Sequence, residues 1–139
     1  MPYDDEIPPG AVEPSPELDR LAYEVIGAAI EVHRHLGPGL PERAYQIAMQ
    51  MELAERRIPF EHQKIIDVFY KGRRVTRMKI DLVVGGKLVV ELKSAESLGL
   101  IDRLQAKTYM GLIGQQLALL INFNVPVLKE GVRRVVQTS

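Results

Sequence analysis

There is no cysteine anywhere in the chain, which excludes disulfides and thiolate metal sites and makes an intracellular protein the default. No apolar run approaches the roughly 20 residues of a membrane span, and the N-terminus lacks the basic-then-apolar plan of a signal peptide. A cytoplasmic protein with no membrane partner is expected. Net charge is missing as well, since 18 Lys and Arg balance 18 Asp and Glu, but the balance is uneven. Residues 1–17 hold five acids (Asp4, Asp5, Glu6, Glu13, Glu17) and no base, so residues 18–139 carry 18 bases against 13 acids. That modest excess can attract nucleic acid without making a polybasic binder. No internal repeat is visible. What is present is 139 residues, 46% hydrophobic and 26% charged, which suits one soluble domain with a sizeable core.

Met1 to Pro14 is rich in Pro and acid and reads as a disordered tail. With the cap that follows, the tail is placed at residues 1–16 and the domain at 17–139. Ser15-Pro16 is an N-cap followed by Pro at the first helical position, and Leu18, Leu21, Ala22, Val25, Ala28, Ala29, Val32 and Leu36 follow at helical spacing. Gly37-Pro38 ends that helix. His33 and His35 near its end suit the helix dipole, and at i, i+2 they do not face one site, so structural roles are expected.

Pro41 opens a second helix to about Arg57. Glu42 in its first turn either serves the helix dipole or, with Tyr45 one turn on, is aimed at a pocket. From His62 to Tyr70 the pattern is that of a strand, and Lys71-Gly72-Arg73 turns the chain into a second strand that reaches Asp81. Arg77, Lys79 and Asp81 alternate onto one face, as a solvated strand face or as a phosphate track. Ser97 is a candidate cap for a third helix from about Leu98 to Ile113, closed by Gly114, with Gln105 and Tyr109 at i, i+4 on one side. Gln116 to Asn122 and Val132 to Val136 complete the set as strands, the last bearing Arg133 and Arg134. The order α-α-β-β-β-α-β-β implies an α/β fold, a mixed sheet flanked by helices.

The chain is organised around residues 77–93, RMKIDLVVGGKLVVELK, a hairpin with Asp81 on one strand and Glu91 and Lys93 side by side on the other. Its turn decides the chemistry. With Gly85-Gly86 as a two-residue loop, Glu91 faces Ile80 and Asp81 lies on the opposite face. With Gly85, Gly86 and Lys87 as a three-residue loop, Val84 pairs with Leu88 and Asp81 stands opposite Glu91, and this register is the one expected. Two carboxylates that close repel unless a cation lies between them. An oxygen-rich pair of this kind suits Mg²⁺ or Mn²⁺, with Lys93 beside it to orient water or stabilise phosphate charge. Glu-x-Lys by itself also describes a solvated face with a weak ion pair. The apolar residues flanking it on both sides favour a covered strand pair, where unpaired charge is costly.

Gly39-Leu-Pro-Glu42-Arg-Ala-Tyr45 forms a G-x-x-E-x-x-Y motif. Together with Asp81-Leu-Val-Val, Val90-Glu-Leu-Lys93, Gln105-x-x-x-Tyr109 and Leu120-Ile-Asn-Phe-Asn-Val-Pro126, it resembles the GxxExxY family of small prokaryotic proteins, placed in the PD-(D/E)xK nuclease superfamily. The resemblance covers nearly everything from Leu18 to Val136. It implies a restriction-endonuclease-like core of four strands flanked by helices, with further strands allowed. It also implies metal binding by Asp81 and Glu91, completed by Glu42, and a Lys93 that assists the water or the transition state. Gln105 and Tyr109 resemble the Q-x-x-x-Y motif of RecB-like nucleases, which holds substrate or site geometry. Tyr45 carries over as a motif residue without an assigned role. Ile80 stands where the superfamily name has Pro.

The expected function is therefore a Mg²⁺- or Mn²⁺-dependent nuclease acting on nucleic acid, DNA first, with Arg77, Lys79, Arg133 and Arg134 as the nucleic-acid contacts. The alternative is a catalytically silent nucleic-acid-binding or protein-interaction module on the same fold. A homo-oligomer is compatible with either.

Overall fold

A computed structural model describes residues 13–137. Of the tail read at residues 1–16, positions 1–12 lie outside the described residues; Ser15 and Pro16 belong to the start of the first helix. The chain forms helices α1 (Pro16–Leu36) and α2 (Glu42–Glu55), strands β1 (Phe60–Tyr70), β2 (Arg73–Val84) and β3 (Leu88–Lys93), helix α3 (Leu100–Ile113) and strands β4 (Leu117–Asn122) and β5 (Val132–Val136). A single 3₁₀ turn, Leu128–Gly131, precedes β5. Among the described residues no helix is long and apolar enough to cross a membrane.

The five strands stand in sequence order in one sheet. β3 and β4 run parallel, with α3 as the crossover between them, and the other neighbours are antiparallel. This is the mixed sheet with flanking helices that the element order implied. One face is covered by α1 and α2: Val25, Ile26, Ala29, Met49 and Leu53 pack on Leu82, Val90, Leu92, Leu119 and Ile121. The other is covered by α3, whose Ala106, Tyr109 and Met110 pack on Val83, Val89, Ala118 and Leu120. Each large apolar side chain so buried contributes about 1.5–3 kcal/mol, and covering both faces explains why β3 and β4 read as continuous apolar runs.

The caps show how local chemistry set the boundaries. Ser15 Oγ accepts from the Leu18 N–H at 3.2 Å, as the Ser-Pro start predicts. α2 stops at Glu55, two residues short of the expected Arg57. There Arg57 takes a left-handed φ of 59°, the Arg57 N–H donates to the Ala54 carbonyl and the Ile58 N–H to the Leu53 carbonyl. That is a Schellman closure with buried Ile58 against Leu53.

α3 begins at Leu100 rather than Leu98, capped at Gly99 and not at Ser97. Asp102 caps it from inside, its carboxylate accepting the Gly99 N–H at 2.8 Å. Ser97 lies in a connection whose first residues are tied elsewhere: Ser94 Oγ donates to the Leu40 carbonyl and the Ala95 N–H to Asn122 Oδ1. The helix starts only once the chain has cleared those anchors.

Candidate active site

The β2–β3 turn carries three residues. Val84 pairs with Leu88, Val83 with Val89 and Leu82 with Val90, and the Lys87 N–H closes on the Val84 carbonyl at 3.1 Å. Gly85 and Gly86 have φ of 60° and 69°, a pair of left-handed conformations open to glycine at no steric cost. The next step of this register sets Asp81 against Glu91.

At that step side chains take over from the main-chain ladder. The Asp81 N–H donates to Glu91 Oε2 at 2.8 Å, and the Leu92 N–H donates to Asp81 Oδ2 at 2.8 Å. Each carboxylate is thus fixed by an amide of the opposite strand. The alternation along β2 breaks at the same place: Ile80 packs in the cluster under α3 and Leu82 in the cluster under α1 and α2, although even-numbered neighbours share a face in a regular strand. On β1, the register His62↔Leu82 and Lys64↔Ile80 leaves Gln63 opposite Asp81, and Gln63 has a φ of 49°. The irregularity therefore extends across both strands.

Burial makes the pair electrostatically unfavourable as it stands. Glu91 is only 4% exposed, and burial first, then the neighbouring Asp81 charge, push its carboxyl up to about 8. Burial also raises Asp81, against the opposing effects of the Leu92 N–H and the Lys93 ammonium. Lys93, half-buried at the end of β3, lowers both carboxyls and that of Glu42 as well. Its positive charge acts on all three.

Glu42 enters from the first turn of α2. Burial raises it, Lys93 lowers it, and Asp81 and Asp102 raise it. Gln46 Nε2 donates to its Oε1 at 3.3 Å. It therefore shares the field of the carboxylate pair, but among the described residues no group of three His, Cys, Asp or Glu is placed to hold a metal ion. Asp81 and Glu91 are thus the two carboxylates brought together by hydrogen bonds, and Glu42 joins them through its charge interactions with Asp81, Glu91 and Lys93. Glu42 is the first residue of α2, so it approaches the pair from the helix layer while Asp81 and Glu91 stand on the sheet.

Tyr45 does not face the site. It is fully buried, its ring stacks on Phe123 with centroids 4.5 Å apart, and its hydroxyl donates to the Gly37 carbonyl at 2.5 Å while accepting the Leu40 N–H at 3.1 Å. The Leu40 carbonyl in turn accepts Ser94 Oγ at 2.7 Å, directly after Lys93. The G-x-x-E-x-x-Y segment is thus a clamp: its Tyr fixes the turn that delivers Glu42, and the turn is pinned to the end of β3. Tyr45→Phe is expected to lower stability by about 1 kcal/mol, because the part-buried Gly37 carbonyl and Leu40 N–H lose their partner. Urea denaturation measures this, and an unchanged midpoint would show that the clamp contributes nothing.

Residues 105 and 109 stand on the face of α3 turned to the sheet. Tyr109 is buried, and burial with the Glu91 and Asp81 charges raises its phenol to about 12; it stays a proton donor at any ordinary pH. Gln105 is half-buried one turn earlier on the same side.

The four bases assigned to nucleic acid are not brought to the carboxylates as one track. Arg134 is buried and paired with Asp19 of α1, so it is a structural cation and not a surface contact. Arg133 donates to the Glu130 and Val132 carbonyls, fixing the turn before β5. Arg77 and Lys79 are exposed, but they alternate with Met78 and Ile80, which pack toward α3. They therefore point to the other surface of the strand, and Arg77 bonds Asp67 at 2.9 Å.

One residue that the sequence reading placed only at a strand end and within the Leu120–Pro126 stretch has a supporting role. Buried Asn122, at the end of β4, accepts the Ala95 and Asn124 N–H groups and donates to the Ala95 carbonyl, locking the segment after Lys93. Its signal was a lone amide ending an apolar strand, where every polar atom needs a partner.

The donor set fits a hard divalent cation. Each carboxylate has one oxygen fixed by a main-chain amide, leaving Asp81 Oδ1 and Glu91 Oε1 as the remaining acceptors; one or two carboxylates, with water and phosphate in the other positions, is the usual Mg²⁺ arrangement. A family model of the PD-(D/E)XK nuclease superfamily, whose members typically use a divalent metal, matches residues 19–135. No curated protein and no solved structure matches the chain. With nearly all of the described domain matched, the chain belongs to the PD-(D/E)XK nuclease superfamily.

Proposed function

We propose that the protein is a Mg²⁺- or Mn²⁺-dependent nuclease that hydrolyses phosphodiester bonds in DNA, and that within the superfamily its Gly39-to-Tyr45 segment places it with the GxxExxY proteins. The observation that carries the reading is the buried Asp81–Glu91 pair, fixed by two reciprocal main-chain hydrogen bonds beside Lys93. A fold does not bury two adjacent carboxylates for stability, since the cost of confining their charge exceeds what two hydrogen bonds return. Strongly perturbed acids in one place are the mark of a site.

Asp81 and Glu91 would hold the cation, which would supply Lewis-acid polarisation of the phosphate and a nucleophilic water at neutral pH. The roles of the chain's own groups follow from their positions. Lys93 offers a cation to the attacking water or to the charge that grows on the phosphate oxygens. Tyr109, protonated throughout, and Gln105 offer neutral donors from α3 that orient the substrate without competing for the cation. Glu42, whose carboxyl the Lys93 charge lowers, adds a third acid to the field at the site.

Labelled single-stranded, double-stranded and branched DNA, and RNA, incubated with Mg²⁺ or Mn²⁺ test the reading. Cleavage of DNA that disappears in Glu91→Gln is expected. Cleavage that survives that substitution would place the chemistry elsewhere, and no cleavage of any of these substrates by folded protein with metal present would remove the nuclease reading.

A further inference from the structure

β1 and β2 continue well past the core. The last residues of the ribbon to pack under α3 are Ile66 and Met78, and from Asp67 to Arg77 every residue except half-buried Val68 is exposed. The two strands pair to the end, Tyr70 against Arg73. Lys71 and Gly72, with φ of 50° and 80°, close them in a tight two-residue turn whose paired positive φ values match the twist of a hairpin. Four residues of β1 (Asp67 to Tyr70) and five of β2 (Arg73 to Arg77) extend about 14–17 Å beyond the sheet. An isolated two-stranded ribbon has no core to hold it out there, which makes this arm a feature in need of a partner.

Its composition indicates the partner. Residues 60–79 hold six bases (Lys64, Lys71, Arg73, Arg74, Arg77, Lys79) against two acids, Glu61 and Asp67. In a chain of zero net charge this one ribbon is positive by four. Asp67 is shared by Arg77 at 2.9 Å and Arg74 at 3.9 Å, exposed pairs that are weak and easily exchanged for phosphate. Phe69, Tyr70 and Val75 stand among the bases with more than half of their surface in water. Like charge opposes pairing of two such arms with each other, and both faces of the ribbon are open, as a strand pair lying within a groove requires.

We propose that the β1–β2 arm enters the major groove of double-stranded DNA, with Lys71, Arg73 and Arg74 on the phosphates, and so holds the duplex beside the Asp81–Glu91 pair. This rests on the nuclease reading and specifies its substrate as duplex. The B-form major groove, about 12 Å wide, admits a two-stranded β-ribbon. Along β2, Arg77 precedes Asp81 by four residues and Arg73 by eight, or about 13 and 27 Å. Both lie within one turn of B-DNA, about 34 Å, so one duplex segment meets the arm and the carboxylates together. The exposed apolar side chains suit thymine methyl groups on the groove floor.

The test is duplex binding by Lys71→Asn/Arg73→Gln/Arg74→Gln. Asn keeps the left-handed turn position, and the other two side chains are exposed, so circular dichroism should match the parent. Both proteins carry Glu91→Gln and are titrated in EDTA against a duplex of about 20 base pairs, so that cleavage plays no part. The variant is expected to bind roughly 10- to 100-fold more weakly, with the slope of log affinity against log salt reduced by about 2 to 3. The parent should protect guanine N7, a major-groove atom, from methylation, and the variant should not.

Equal affinity and equal salt slope would overturn the proposal, as would weakened binding in the absence of any N7 protection by the parent. A variant that loses self-association by light scattering but keeps duplex affinity would make the arm a contact between copies instead. Arm-dependent binding with no cleavage by the wild type removes the nuclease reading and leaves the arm; cleavage with arm-independent binding does the reverse.

Discussion

Lys93→Ala is expected to reduce DNA cleavage by about 10²–10³-fold with the fold intact. The magnitude is that of removing one preorganised charge or donor aimed at a developing oxyanion. The fold survives because Lys93 is half-buried at the end of β3, and its backbone bond, the Phe123 N–H on the Lys93 carbonyl, does not involve the side chain. Loss of the ammonium also leaves Glu42, Asp81 and Glu91 without the cation that lowers all three. The cleavage remaining in the variant should therefore require more Mg²⁺ and shift toward higher pH. Lys93→Arg should recover only part of the rate, because a planar fork does not replace a compact ammonium. Single-turnover cleavage over a metal titration measures all of this. A Lys93→Ala rate within tenfold of the wild type would exclude Lys93 from the chemistry.

Glu91→Gln is expected to abolish cleavage and, at neutral pH without metal, to stabilise the protein. In the unfolded chain the Glu91 carboxyl titrates near 4.3, whereas in the fold burial and Asp81 hold it up at about 8. Between those values the folded state binds more protons than the unfolded one. Stability is therefore highest below about pH 4.5, as far as this group is concerned, and is lost as pH rises to about 8, by a few kcal/mol. Gln carries no charge to bury, and its amide can still accept the Asp81 N–H and donate to the Asp81 carboxylate. Urea unfolding from pH 5 to pH 8.5 in EDTA should show the wild type weakening across the range and the variant much less. Saturating Mg²⁺ should return the lost stability to the wild type alone, because a ligand of the native state adds to its stability. Parallel pH profiles for the two proteins would show that Glu91 is not held protonated by the fold.

Much of this was legible in the chain. The turn chemistry of Gly85-Gly86-Lys87 and the apolar alternation on either side of it set the register that brings Asp81 to Glu91, and Ser15-Pro16 and Gly114 marked helix ends by local preference alone. What escaped the sequence was settled by long-range contacts. Tyr45 has the same identity whether it faces a pocket or locks a turn; only its stacking on Phe123, 78 residues on in the chain, makes it a clamp. Arg134 looked like an exposed base until Asp19 covered it, a pairing across 115 residues.

Alternation also misled. It placed Arg77 and Lys79 on the face of Asp81, but the carboxylates break the ladder to bond main-chain amides and the strand changes face between Ile80 and Leu82. A site that diverts a strand for its own hydrogen bonds defeats the period-two rule at the position where the chemistry lies.

The most direct test is calorimetric titration of Mn²⁺ into the wild type and Glu91→Gln at pH 7, each in two buffers of different ionisation enthalpy. A cation bound by Glu91, whose carboxyl the fold holds at about 8, must displace a proton at pH 7. The wild type should bind with release of about one proton, falling to none near pH 9, and Glu91→Gln should bind at least tenfold more weakly. Binding that is equal in both proteins, or that releases no proton at pH 7, would contradict the assignment of the Asp81–Glu91 pair as the metal site of a nuclease.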